Sequence, residues 1–377
     1  MDWGIASITL AAAAAPAQSS FGPTALRVAA IALAFGLTVF VHELGHFLTA
    51  RLAGMAVYEF SIGFGRPLLL WFKRGGTQYS FRLWPFLSYV RIAGMEPGDE
   101  HPQGFLKKPR WAQAIVLVTG CLMNFLLAVA IFIAMGLVFG KAVPSNVVKE
   151  IAKDSPAAQV GLAPGDRLIG INGTRLSLDQ LRAKIKASPG KQLALELERA
   201  GRRLALRITP EAILLKDVEG LNIVDRKIGR IGVGFDYEIV PMGVLESIAT
   251  GFTDTHNVIR LQIVGFLGLA RRQVPTDEVM GPVRFVGELY RAARESWLQF
   301  LNVAAILTIA VGFVNLLPIP PLDGSRLVIV AYEAIRRKPV DKRKETIVHL
   351  VGLALLMALI LLITYRDIRL LTHPGGG

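Results

Sequence analysis

Cysteine is almost absent from this chain of 377 residues, because Cys121 is the only one. A single thiol excludes an internal disulfide and any cysteine-rich metal site. Cys121 lies in an apolar stretch, where cysteine usually behaves as a small hydrophobic residue. We therefore expect Cys121 to be a packing residue.

Acidic residues are also scarce, at 29 against 42 lysines and arginines, so the net charge is +13. Nucleic-acid binding would need this charge to form a patch on a recognisable soluble module, and the sequence contains none. The composition is 52% hydrophobic, which is too apolar for an ordinary soluble protein. We therefore expect a lipid bilayer as surroundings, basic loops as the source of the charge, and no nucleic-acid partner.

The N-terminal stretch MDWGIASITLAAAAAPAQSS has no lysine or arginine. It therefore lacks the basic region of a signal peptide, although its end resembles a cleavage site. We expect this stretch to be an extramembrane or partly inserted N-terminus.

Four apolar runs are long enough to cross a bilayer, at about 27–50, 112–139, 297–317 and 346–365. Lysine and arginine concentrate in the loops that follow the first and third runs, at Lys73, Arg74, Arg82, Arg91, Lys107, Lys108, Arg110, Arg326, Arg336, Arg337, Lys338, Lys342, Arg343 and Lys344. The positive-inside rule then places both loops in the cytoplasm, and both termini and the middle of the chain outside.

The first run contains VHELGHFLTA, residues 41–50. His42 and His46 are four residues apart, so they lie on one face of a helix and can bind one zinc ion. Glu43 beside them can act as general base on a water molecule. A charged group inside a span costs about 2.5–3.5 kcal/mol on insertion scales unless it faces something polar. The motif predicts an intramembrane zinc protease, and a metal-free polar cluster between helices is the alternative.

A catalytic zinc ion usually has three protein ligands and one open position. Asp323, in NLLPIPPLDGSRL (315–327), is the best candidate for the third ligand, because it is the only acid in an apolar window stiffened by three prolines. It could instead cap the following helix, a common role for aspartate. The remaining histidines are in less suitable places: His101 and His373 in polar segments, His349 near the start of the fourth run, and His256 on a polar face where we expect it to be solvated.

The loop after the first run contains PLLLWFK and TQYSFRLWPF on either side of an RGG turn, which predicts a β-hairpin. This hairpin is too apolar for a freely solvated loop. It either dips into the membrane beside the active site, with its backbone shielded, or lies at the membrane interface.

The middle of the chain is soluble in character, with short strand patterns, a turn at 163–166 and a helix near 177–187. GLAPGDRLIGING makes residues 145–210 resemble a PDZ domain of the bacterial protease type. The resemblance implies that it binds an extended peptide or a chain terminus by strand addition; alternatively it only occludes the active site. Further on, RKIGRIGVGF predicts one strand, and GVLESIATGFTDTHNVIRLQIVGFLGLARR an amphipathic helix at the interface or against the bundle.

HELGH in the first run, a PDZ-like middle and NLLPIPPLDG after a later run follow one another in this order. Over residues 36–330 the chain resembles the site-2 protease family of intramembrane zinc metalloproteases, in its bacterial regulator-of-sigma-factor branch. FSIGFG, GCLMNFLLA and GPVRFVGELY add to this resemblance. Two departures are Gly120-Cys121 where a Gly-Pro pair is usual, which concerns the local bend of that helix and not the chemistry, and one PDZ domain where the best-known members have two.

The resemblance implies a function for each motif. Zinc is bound by His42, His46 and Asp323, while Glu43 activates water. Asn315 contacts the substrate backbone, and the hairpin pairs with an unwound substrate. The implied substrate is a single-span membrane protein already trimmed by another protease, such as an anti-sigma factor, and remnant signal peptides are a second class. A non-catalytic PDZ scaffold and a metal transporter are alternatives; a transporter would need further ligands, which the other runs lack.

The expected fold is a multi-span α-helical membrane protein of about four transmembrane helices, with a membrane-associated β-hairpin and an inserted extracytoplasmic PDZ domain. It would lie in the bacterial inner membrane, with its active site toward the cytoplasm. The expected segments are the N-terminus and first span (1–56), the hairpin and its cytoplasmic loop (57–110), the second span (111–140), the PDZ domain (145–210), a linking strand and amphipathic helix (211–296), the third span with the LDG motif and a cytoplasmic loop (297–345), and the fourth span and tail (346–377).

Overall fold

The computed structural model describes residues 22–84, 88–96, 98–219, 222–274, 279–338 and 340–372. The expectations for the first twenty residues and for His373 fall outside these residues. Within them the chain forms two compact units. One, which we call the β unit, comprises residues 135–246 and 263–274, and the other, the helical unit, comprises the rest.

The helices and strands are as follows. The helices are α1 (Thr24–Leu52), α2 (Arg110–Phe139), α3 (Pro156–Gln159), α4 (Leu178–Lys186), α5 (Val244–Ala270), α6 (Pro282–Glu295), α7 (Trp297–Leu316), α8 (Asp323–Arg336) and α9 (Lys342–Thr372). The strands are β1 (Val57–Ile62), β2 (Phe64–Arg74), β3 (Thr77–Trp84), β4 (Tyr89–Ile92), β5 (Lys141–Ile151), β6 (Arg167–Ile171), β7 (Thr174–Arg175), β8 (Leu193–Arg199), β9 (Arg202–Ile208), β10 (Glu211–Glu219), β11 (Asn222–Arg230) and β12 (Val233–Val240).

Four helices in the described chain are long and apolar enough to cross a membrane: Thr24–Leu52, Arg110–Phe139, Trp297–Leu316 and Arg343–Leu370. They confirm the four predicted runs: the first, second and fourth helices extend beyond the predicted bounds by two to five residues at one or both ends, and the third ends one residue earlier than predicted. The α2 helix is continuous through Gly120-Cys121, so the residue that replaces the usual proline allows an unbroken helix. The chain is a multi-pass membrane protein.

Among the described residues of the helical unit, apolar side chains pack into clusters, two of which involve α1. In one, α6 and α7 pack on α1 around the buried side chains of Ile31, Leu289 and Phe300. In the other, the end of α1, the strands β1 and β4, the start of α2 and α8 meet around Val57, Ile92 and side chains such as Val116, Leu117 and Val330. Each fully buried side chain of this size contributes about 1.5–3 kcal/mol. The second cluster therefore fixes β4 and α8 against the histidine-bearing end of α1.

The loop between the first two spans folds into a four-stranded sheet of order β2-β3-β1-β4. The strands β2 and β3 are antiparallel and meet at Gly75 and Gly76, whose φ angles are 57° and 81°. Glycine adopts such positive φ angles without a steric penalty, which explains the turn at RGG. The β1 strand runs parallel to β3 and antiparallel to β4, so β2 and β4 form the two edges of this sheet.

The β unit contains a sheet of order β12-β5-β6-β8-β9, with β7 paired to β6, and a separate β10–β11 ribbon. Its core is a cluster of fully buried side chains that includes Leu168, Leu181 and Leu195. The α4 helix lies where the sequence predicted a helix, and it begins with a capping box of Ser177 and Gln180.

The predicted bounds 145–210 are too narrow for this unit. The β5 strand begins at Lys141, and it pairs along its length with β12, from Val233 to Val240. RKIGRIGVGF, predicted as one strand, is two, because β11 ends at Arg230 and Gly232 has a φ of 77°. The Ser155 side chain occupies the place where a Cβ atom of residue 232 would project. Residues 211–296 accordingly contain β10, β11 and β12 and two helices, α5 and α6, rather than one strand and one helix; His256 on α5 is exposed, as expected.

Candidate metal centre and active site

The two histidines of HELGH lie one turn apart on α1, and each is only 6% exposed. Their Nε2 atoms are 3.2 Å apart. Nδ1 of His46 is 2.7 Å from the carbonyl oxygen of Val116 on α2. Since a carbonyl can only accept, His46 donates from Nδ1 and keeps a lone pair on Nε2.

Asp323 is the first residue of α8 and does not cap it, because Leu322 is the N-cap residue and no side-chain cap hydrogen bond forms. The alternative that Asp323 serves as a cap is therefore wrong. Its Oδ2 atom lies 3.1 Å from Nε2 of His42 and 3.1 Å from Nε2 of His46. The three prolines lie in residues 317–322, between α7 and α8, and α8 starts where they end.

Two imidazole nitrogens and one carboxylate oxygen thus converge on a single point. A four-coordinate zinc ion with bonds of about 2.0–2.1 Å holds its ligand atoms roughly 3.3 Å apart, close to the 3.1–3.2 Å separations found here. The donor set of two nitrogens and one oxygen also suits zinc and leaves a fourth position open. His42, His46 and Asp323 therefore fit a catalytic zinc ion.

Cys121 lies beside this cluster. Its Sγ atom is within 4.8 Å of ligand atoms of His42 and Asp323, and its side chain is fully buried. Its burial agrees with a packing role, but no local pattern predicts that the thiol lies next to the metal ligands, because these neighbours come from α1 and α8.

Three glycines allow the backbones to approach at the site. A Cβ atom on Gly120 would overlap the imidazole of His46 and come within 3.0 Å of Cε1 of His42. One on Gly45 would come within 2.6 Å of the carbonyl oxygen of Thr119 on α2, and one on Gly324 would overlap the carbonyl oxygens of Leu316 and Leu317. The glycines of HELGH, GCLMN and LDG are thus needed for close packing of helices.

Glu43 faces a cavity of about 320 Å³, lined also by His46, Asp323, Pro321 and the strand β4. Its Oε2 atom accepts a hydrogen bond of 3.0 Å from the backbone N–H of Val90 on β4. The strand that contacts this glutamate is therefore β4, the edge strand on the opposite side of the sheet from β2.

The structure does not bring Asn315 to this cavity, whose lining among the described residues does not include it. Asn315 lies half-buried in the last turn of α7. The other described histidines lie apart from the three ligand atoms: His101 packs against Tyr58, and Nδ1 of His349 is 2.9 Å from the carbonyl oxygen of Glu345.

Sequence reasoning missed one polar residue at the site. Asn124 on α2 is fully buried, and its amide nitrogen is 3.4 Å from Nδ1 of His42. The available signal was an asparagine within the apolar GCLMNFLLA, where a polar side chain needs a polar partner.

Comparison with known proteins agrees with this arrangement. Residues 30–359 match peptidase family M50. The zinc metalloprotease RasP of Geobacillus kaustophilus is 32% identical, over 89% of this chain and 96% of that protein. The regulator of sigma-W protease RasP of Bacillus subtilis is 31% identical, over 91% of this chain and 98% of that protein. The resemblance seen in the sequence is confirmed: the chain belongs to peptidase family M50 and is a zinc metalloprotease of the site-2 protease type.

Proposed function

We propose that this zinc metalloprotease is an intramembrane endopeptidase that cleaves single-span membrane proteins within or near the bilayer. The observation that carries the proposal is the convergence of His42, His46 and Asp323 at 3.1–3.2 Å. Two of these residues belong to a helix long and apolar enough to cross a membrane. Polar side chains in such a helix are expensive and mark functional sites.

In this proposal His42, His46 and Asp323 hold the zinc ion. Bound zinc supplies Lewis-acid polarisation of a carbonyl oxygen and lowers the pKa of water. The Val116 carbonyl accepts the Nδ1 proton of His46, which fixes the ring orientation and directs the Nε2 lone pair toward the ion.

Glu43 is the general base. Its carboxylate takes the proton of the attacking water and then gives it to the amine that leaves when the peptide bond breaks. The Val90 N–H holds this carboxylate at the cavity wall, so the base is oriented before substrate enters.

The substrate helix has to unwind before cleavage, because its carbonyl groups are otherwise hydrogen-bonded and shielded. The outer edge of β4 offers backbone groups beside Glu43, and an opened strand binds there by extending the sheet. Asn315 binds the backbone of the same strand further along. Because Asn315 does not line the cavity as it stands, this contact requires substrate to extend beyond the cavity or α7 to shift.

The β unit presents a second peptide-binding edge, in keeping with a PDZ domain. The β12 strand is the edge of its sheet, and Arg182 from α4 stacks over the ring of Phe235 on β12 at 5.0 Å. A chain terminus or extended peptide adds to β12 beside α4. Its binding selects substrates that another protease has already trimmed.

The positive-inside rule places the HELGH end of α1 toward the cytoplasm and the β unit outside. Because the relatives above are bacterial, the proposed location is the bacterial inner membrane. One relative is named a regulator of sigma-W protease, which favours a membrane-anchored regulator, such as an anti-sigma factor, as the substrate.

The test is cleavage of a tagged single-span substrate co-expressed with the wild type, Glu43→Gln or Asp323→Ala, with zinc measured in each purified protein. We expect the wild type to cleave, Glu43→Gln to keep zinc but lose at least 10²-fold in rate, and Asp323→Ala to lose both. Cleavage by Glu43→Gln at the wild-type rate would show that the base is elsewhere. A wild type that binds zinc but cleaves no membrane substrate would favour the scaffold alternative. In that case Glu43→Gln would have no effect on function.

A further inference from the structure

Asn124 occupies the middle of α2, surrounded by apolar residues, and is fully buried. Its amide nitrogen lies 3.4 Å from Nδ1 of His42. Its amide oxygen is buried and has no hydrogen-bond partner among the described residues. A buried carbonyl group that can accept two hydrogen bonds and accepts none is rare in folded proteins.

The two ends of an asparagine amide have nearly the same shape, so which is nitrogen and which is oxygen follows from the hydrogen bonds around them. With nitrogen toward His42, the imidazole must accept at Nδ1 and carry its proton on Nε2, which then has no lone pair for a metal. With oxygen toward His42, Nδ1 donates, the orphaned oxygen gains a partner, and the lone pair on Nε2 points at Asp323 and His46.

We propose that Asn124 is a positioning residue whose side-chain oxygen accepts the Nδ1 proton of His42 and thereby selects the tautomer that binds zinc. The inference rests on the proposed function insofar as His42 is a zinc ligand. It gives His42 the same support that the Val116 carbonyl gives His46. Histidine ligands almost always donate their second N–H to such a partner.

The placement on α2 supports this pairing. Val116, Gly120 and Asn124 follow one another at intervals of four residues, so they lie on one face of the helix. The two hydrogen-bond acceptors lie one turn to either side of Gly120, and the missing side chain at Gly120 admits both imidazoles. One face of α2 therefore orients both histidines of α1.

The experiment measures zinc affinity on the purified full-length chain in detergent, by competition with a chelator, with Co²⁺ absorption as a second readout. Asn124→Leu has nearly the same size but no acceptor, and we expect its zinc affinity to fall about 10–100-fold and its Co²⁺ spectrum to shift. Asn124→Asp keeps an acceptor oxygen, and we expect it to retain zinc within a few-fold of the wild type.

The matched control is Asn302→Leu on α7, which also removes a buried amide whose oxygen lacks a partner in the described chain. Gly312 is the residue of α7 that contacts Asn124. Asn302 lies ten residues from Gly312, or about 15 Å along the helix axis. We expect it to keep wild-type zinc affinity.

The proposal would be overturned if Asn124→Leu bound zinc as tightly as the wild type, or if Asn302→Leu lost as much zinc affinity as Asn124→Leu. Loss of zinc from Asn124→Asp would also overturn the proposal, and this variant tests it even if Asn124→Leu does not fold. A wild type that binds zinc but cleaves no membrane substrate would remove the proposed function and leave the role of Asn124 standing. A wild type without zinc would overturn both.

Discussion

Gly120 lies directly against the imidazole of His46, so that a Cβ atom at this position would overlap Nε2, the atom that faces Asp323 and His42. The same Cβ atom would meet Cε1 of His42 at 3.0 Å. The α2 helix therefore forms one wall of the metal centre, and the size of a single residue on it decides whether both histidines can keep their positions.

Gly120→Ala is expected to displace both imidazoles and lower zinc affinity at least 10-fold, although alanine favours the helix. Chelator competition on the purified protein measures the loss. Gly287→Ala is the control, because no described atom lies within 4 Å of a Cβ at that position on α6. It should keep zinc and gain up to about 1 kcal/mol of stability from the helix propensity of alanine. Equal zinc affinity in the two variants would contradict the packing seen at Gly120.

Val90→Pro should lower the cleavage rate about 10-fold while zinc stays bound. Proline removes the N–H that holds Glu43, yet it is tolerated on an edge strand when its nitrogen faces away from the neighbouring strand. Cleavage kinetics and zinc content, measured on the same sample, distinguish a misplaced Glu43 from a loss of zinc.

Val90→Ala is the matched control for Val90→Pro, since it keeps the N–H and should cleave at nearly the wild-type rate. If both variants lose the same activity, the Val90 side chain, rather than its N–H, is what matters.

The sequence predicted the parts of the site that depend on local spacing. Two histidines four residues apart share a helix face wherever the helix lies, and the prolines that precede Asp323 forbid a regular helix through that segment. The metal centre, however, brings together His42 and Asp323, which are 281 residues apart in the sequence. The sequence favoured Asp323 as the third ligand because it is the only acid in an apolar, proline-rich window, and the family resemblance strengthened that choice.

The features that the sequence missed are tertiary in origin. Residues 233–240 complete the sheet that begins at Lys141, and alternation along a strand does not reveal its partner. Likewise, Cys121 looks like an ordinary member of an apolar helix until α1 and α8 are packed beside it, and the polar partner of Asn124 is known only once α1 is in place. The contact of β4 with Glu43 depends on the order of strands in the sheet, which the sequence does not reveal.

Cys121→Ala should leave one zinc ion bound with an affinity within a few-fold of the wild type. The thiol lies within 4.8 Å of the ligand atoms, but two nitrogens and an oxygen already converge at 3.1–3.2 Å, as a three-ligand site requires. Zinc stoichiometry and the Co²⁺ spectrum check this, because a thiolate ligand gives an intense charge-transfer band. If the Co²⁺-loaded wild type showed such a band and Cys121→Ala lost zinc, Cys121 would be a metal ligand.

The β unit should lose stability in acid through Asp166, which is 1% exposed. Arg199 donates two hydrogen bonds to this carboxylate, at 2.6 and 2.7 Å, and the N–H of Ala163 a third, at 2.9 Å. These bonds, above all those from Arg199, hold the pKa of Asp166 below its usual value. A lowered pKa in the folded state stabilises the fold above the unfolded pKa of about 3.9, and the contribution disappears as the pH falls through the folded value.

Asp166→Asn should therefore cost about 1–3 kcal/mol near neutral pH, because it weakens hydrogen bonds to a buried group, and the difference from the wild type should shrink below about pH 4. Hydrogen exchange of the β6 and β8 amides in the full-length chain, between pH 3 and 7, measures it. Glu198→Gln, an exposed neighbour on β8, is the control and should stay within about 0.5 kcal/mol of the wild type. A difference between Asp166→Asn and the wild type that is the same at pH 3 and pH 7 would mean that the ionised carboxylate does not stabilise the fold, because only an effect of ionisation disappears when the carboxylate is protonated.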